Sequence, residues 1–114
     1  MKQIVWFAVG GAVLLAAWGL AADKPTDGRT LYKEYCKPCH GPNAAAGEFT
    51  PMSLIGEQWE RFFAEKLVPS HQSVTDPNHG NRPVLEVLTP EILKKIKEFA
   101  IEHAADSEHP MTCG

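Results

Sequence analysis

The chain contains Cys36-Lys37-Pro38-Cys39-His40, two thiols three positions apart with an imidazole directly after the second. Thiols at this spacing can each form a thioether to one of the two vinyl groups of a porphyrin, and the next residue then brings its imidazole beneath the iron. The expected cofactor is one covalent haem c, attached by Cys36 and Cys39, with His40 as proximal iron ligand. Three rival chemistries use similar residues. Cys-Lys-Pro-Cys also matches the Cys-x-Pro-Cys of thiol oxidoreductases, whose first thiol is activated by a lowered pKa. That motif follows a strand in an α/β sheet, and nothing in this chain reads as strand. Zinc would need a fourth ligand, and adjacent Cys-His is poor tetrahedral spacing. A plain disulfide between Cys36 and Cys39 would leave His40 unexplained.

The elements that must position these residues read as helices and loops. Thr26 or Asp27 can cap a helix over residues 28–35, with Leu31 and Tyr35 on one face. Residues 37–51 are rich in Gly, Pro, Asn and Ala with little periodicity, which predicts an irregular loop. A short amphipathic helix over residues 57–67 carries Trp59, Phe62 and Phe63. Residues 68–83 hold Pro69, Pro77, Gly80 and Pro83 and predict a second long loop, of a length that in a small domain usually carries function. Thr89 caps a final helix with Pro90 at its first position. Ile92, Leu93, Ile96, Phe99 and Ala100 form its apolar stripe. The prediction is an all-α domain over residues 28–105, with Leu31, Tyr35, Ile92, Ile96 and Phe99 joining the first and last helices, and a polar tail over residues 106–114.

Lys2 is the only charge before Asp23, residues 4–20 are almost unbroken apolar, and Gly19, Ala21 and Ala22 are small. This is the grammar of a secretory signal, with cleavage expected after Ala21 and a short leader over residues 22–27. The alternative is a retained anchor, since about 17 apolar residues is the lower limit for crossing a bilayer. Either way the domain is expected in the periplasm or on the extracytoplasmic face of the membrane. Loss of Lys2 leaves ten basic and fourteen acidic residues, a net charge of about −4. With no basic run, neither nucleic acid nor an anionic membrane surface is an expected partner.

These residues resemble the small monohaem class I cytochromes c. Gly28, Tyr32 and Tyr35 before the motif are similar to that family's first helix, and Gly41 completes its Cys-His-Gly. The resemblance covers roughly residues 28–105 and implies a helical fold wrapped around the haem. It also implies that the Pro51 carbonyl bonds the second nitrogen of His40 and fixes the orientation of that ring.

On the opposite side of the iron the sequence departs from the family, which ends its distal loop with Met-Pro where this chain has Arg82-Pro83. A guanidinium stays protonated and does not ligate iron. Met52 falls in the loop expected on the proximal side and reads as core. Met111 lies beyond the final helix. His71 and His79 lie in the distal loop itself, and His71 or His79 is the expected sixth ligand, His71 first because it directly follows the aromatic helix. His103 and His109 read as surface. Cys113 is a third cysteine with no assigned role.

The expected function is transfer of single electrons between exported or membrane-bound redox proteins of a respiratory chain, without enzymatic activity. The alternative is a ligand-binding or peroxidase-like haem protein with an open or displaceable sixth site, favoured by Arg82 near the distal side.

Overall fold

Gly28 sets how closely the two ends of the domain approach each other. The computed structural model describes residues 27–112. In it the first helix, α1 (Gly28–Leu31), packs across the last, α6 (Pro90–Glu102). A Cβ on Gly28 would collide with the Lys95 carbonyl oxygen and lie 2.5 Å from Phe99 Cβ, so the crossing requires glycine. Asp27 caps α1 by accepting from Thr30 N at 3.0 Å, and Thr89 caps α6 by accepting from Ile92 N. Leu31, Tyr32, Ile96 and Phe99 are buried at the crossing, with Tyr35 and Ile92 packed against them. The signal segment, residues 22–26 of the leader and Cys113 lie outside the described residues.

The first helix does not stop at Tyr35 as expected. It continues through a π-helical turn, Tyr32–Cys36, into α2 (Lys37–His40). The same device recurs later: α3 (Gly56–Arg61) runs through a π turn, Phe62–Lys66, into α4 (Leu67–His71). Proline explains both. Pro38 and Pro69 lack an N–H, and their rings would press on the carbonyl one turn earlier in a regular helix. A widened turn just ahead of each proline accommodates the ring, so the helix continues instead of breaking. In each case a histidine, His40 or His71, follows the proline by two residues on the last helical turn. The expected long loop therefore starts only after His71.

Residues 75–83 contain the one departure from an all-helical reading among the described residues. β1 (Thr75–Asp76) and β2 (Arg82–Pro83) form a two-residue antiparallel ladder, pairing Thr75 with Pro83 and Asp76 with Arg82. Strands this short leave no alternation to read. A 3-10 turn, Pro77–His79, and two left-handed residues, Gly80 and Asn81, close the hairpin. α5 (Val84–Val87) then returns the chain to the core through buried Val84 and Val87. The fold is otherwise helical, and no helix among the described residues is long and apolar enough to cross a membrane.

Candidate functional site

Cys36, Cys39, His40 and His71 all line one cavity of about 330 Å³. Its remaining wall is largely apolar, with Leu54, Trp59, Phe63, Leu67, Leu93 and Ile96 contributed by α3, α4, α6 and the turns between them. Trp59 is fixed in that wall because its indole N–H donates to the Pro51 carbonyl at 2.9 Å. A mostly apolar cavity suits an apolar ligand, with the few polar groups setting its orientation.

The two imidazoles lie close together on the cavity wall, edge toward face. Their ring centroids are 6.1 Å apart and their planes cross at 72°. A metal ion bound by two imidazole nitrogens, each at about 2.0 Å, brings their ring centroids to roughly 5–6 Å apart. The ring separation is compatible with two imidazoles that share an ion.

Each ring is also held in the protonation pattern of a ligand. His40 Nδ1 lies 2.9 Å from the Gly47 carbonyl, and His71 Nδ1 lies 2.6 Å from the Leu67 carbonyl. A carbonyl only accepts, so Nδ1 carries the hydrogen in both neutral rings and Nε2 keeps its lone pair. Ser70 adds a second hold on His71, its Oγ lying 2.9 Å from Nδ1 while donating to the Lys66 carbonyl at 2.7 Å. Such outer bonds orient a metal-binding imidazole.

Pro51 does not make the bond that the resemblance implied. The partner of His40 is Gly47, and the Pro51 carbonyl is taken by Trp59. The loop reaches His40 four residues earlier than expected, at Gly47, whose φ of +93° is in the left-handed region that favours glycine. Phe49 packs edge-on against His40 with centroids 5.2 Å apart. Its carbonyl accepts from Tyr32 Oη at 2.7 Å, which ties the loop to the first helix.

His79 is placed elsewhere. Its Nδ1 bonds Asp76 Oδ2 at 2.7 Å, its Nε2 faces Glu34 Oε1 at 3.3 Å, and its ring stacks on Tyr35. It does not line the cavity. Neither methionine does so either. Met52, expected in the core, is 40 % exposed, because the 3-10 turn Pro51–Ser53 buries Pro51 and turns Met52 outward. Met111 is buried against Leu31 and Tyr32, and with Met52 it lines a second cavity that reaches His40 from the Lys37 and Gly41 side. Arg82 is exposed on β2 and is absent from the cavity wall. His103, expected at the surface, is half-buried over Phe99 and bonds the His109 carbonyl.

Cys36 and Cys39 are both free thiols at the cavity wall. Burial pushes the Cys36 thiol up to about 12, with Cys39 beside it adding to the shift. A thiol so raised stays protonated and is a poor attacking group. No protein-family model, curated protein or solved structure matches the chain.

Proposed function

We propose that this chain is an exported c-type cytochrome that carries single electrons. Cys36 and Cys39 would hold one haem by thioether bonds, and His40 and His71 would ligate its iron. The observation that carries the reading is the convergence of a Cys-x-x-Cys-His segment and a second histidine, 6.1 Å from the first, on one apolar cavity. When bound, the haem supplies a one-electron couple. The chain's own residues do the rest. The Gly47 and Leu67 carbonyls hold the two rings in place, and Trp59, Phe63 and Ile96 give the cavity an apolar wall. Two imidazoles give a lower reduction potential than the imidazole and thioether usual in the family.

The apolar segment over residues 4–20 supports export to the periplasm or retention at the outer face of the membrane. An acidic carrier is suited to redox proteins with a basic docking face, and electron exchange should then slow as ionic strength rises.

The test is the absorption spectrum of the protein expressed with a cytochrome c maturation system, taken oxidised, reduced and reduced under carbon monoxide. A covalent haem with six-coordinate spectra unchanged by carbon monoxide is expected. A protein without covalent haem overturns the reading. Rapid carbon monoxide binding replaces the carrier with a ligand-binding haem protein.

A further inference from the structure

We propose that His79 is a proton site coupled to the electron held in the cavity, so that reduction draws one proton onto this ring and oxidation releases it. The proposal builds on the haem reading above. His79 sits between two carboxylates: buried Asp76 at Nδ1, 2.7 Å away, and Glu34 at Nε2, 3.3 Å away. Asp76 is itself fixed, since its other oxygen accepts from Asn78 N at 2.9 Å. Arg82, exposed, stands opposite Asp76 in the ladder, and Tyr35 packs beneath the imidazole with centroids 4.7 Å apart and planes 21° from parallel. Tyr35 also lines the cavity beside Cys36. The charge on His79 is therefore one aromatic residue away from the cavity.

The two carboxylates define what the ring can do. A neutral imidazole has one N–H, which Asp76 takes, leaving the Nε2 lone pair against the Glu34 oxygen. Protonation at Nε2 turns that repulsion into a second charge-assisted hydrogen bond. The resulting positive charge is favoured when the cavity holds one more electron and disfavoured when it holds one fewer. Linkage makes the effect mutual: a proton on His79 must favour the electron by the same factor as the electron favours the proton. The balance is one electron from an exported one-electron donor protein and one proton from solvent. The only bond made is N–H at Nε2, and both particles leave on oxidation.

The experiment is an NMR titration of the His79 ring in the haem-loaded protein, in both oxidation states, together with the reduction potential against pH for wild type and His79→Gln. His79 should bind its proton about three- to tenfold more tightly in the reduced protein, the scale of one unit charge acting through protein. The wild-type potential should fall with rising pH over that window, and the fall should be missing in His79→Gln. Equal His79 titration in the two states overturns the proposal, as does an unchanged pH dependence in the variant. The wild-type titration decides even if the variant does not fold. Protein without covalent haem overturns this proposal and the cytochrome reading together. Haem-bearing protein with redox-independent His79 overturns this proposal alone.

Discussion

The rings of His40 and His71 stand 6.1 Å apart with their planes crossed at 72°, and each is pinned at Nδ1 by a backbone carbonyl. The two carbonyls belong to different parts of the chain, Gly47 in a loop and Leu67 on a helical turn, so the two ring planes are set independently. What the rings share is their approach: each follows a proline by two residues, past a π-helical turn that keeps the helix running to the histidine.

Replacing His71 should separate ligation from attachment. If the proposed haem is attached, His71→Ala should keep it, because Cys36 and Cys39 are untouched, yet bind carbon monoxide when reduced. His71→Met should raise the reduction potential, since a thioether favours the reduced iron more than a second imidazole does. Absorption spectroscopy and potentiometry report both. An alanine variant that still excludes carbon monoxide would remove His71 from the iron.

The crossed planes predict a magnetic signature. Electron paramagnetic resonance of the oxidised haem-loaded protein at low temperature should give one strongly anisotropic low-field line. A rhombic three-line spectrum would mean that the two rings lie near parallel once the haem is in place.

Gly28→Ala should destabilise the fold without touching the cavity. The added Cβ meets the Lys95 backbone and Phe99 Cβ at the crossing of α1 and α6. Overpacking of this kind costs about 1–3 kcal/mol. For a domain this small that lowers Tm by about 4–8 °C per kcal/mol, measurable by thermal unfolding. An unchanged Tm would show that the helices can move apart freely.

The Asp76–His79 contact should make stability depend on pH. The hydrogen bond to Asp76 raises the His79 pKa above its ordinary 6.5; burial opposes this in part, and Glu34 assists. Because the folded-state value is the higher one, the stabilisation is fully present below pH 6.5 and is lost as pH rises through the folded value. The Tm difference between wild type and His79→Gln should therefore be largest in mild acid and shrink in mild alkali. A pH-independent difference would mean that the ion pair adds nothing.

Some of this was legible in the residues alone. Cys36, Cys39 and His40 lie within five consecutive positions, so local geometry brings them together whatever the rest of the chain does. The Thr89 cap, Pro90 and the stripe from Ile92 to Phe99 mark α6 in the same local way, and Leu31 against Ile96 and Phe99 followed from helical periodicity. The π turns were not legible, because a proline inside a helical pattern ordinarily reads as a stop.

The rest depended on contacts between distant segments. His71 and His79 are both loop histidines by sequence. Which one faces the cavity is decided by α4 continuing past Pro69 and by Asp76 and Glu34 holding the other ring, 3 and 45 positions away. Gly47 stands in place of Pro51 as the partner of His40, and the Pro51 carbonyl accepts instead from Trp59, folded back from α3. The spacing Asp76-x-x-His79 and the glycine after Ala44-Ala45-Ala46 were the only sequence signals of either outcome. The sequence by itself determined that Cys36, Cys39 and His40 stand together, because residues within five consecutive positions cannot move far apart. Tertiary structure alone decided what lies opposite His40, because that position is filled through packing and hydrogen bonds between segments far apart in the chain.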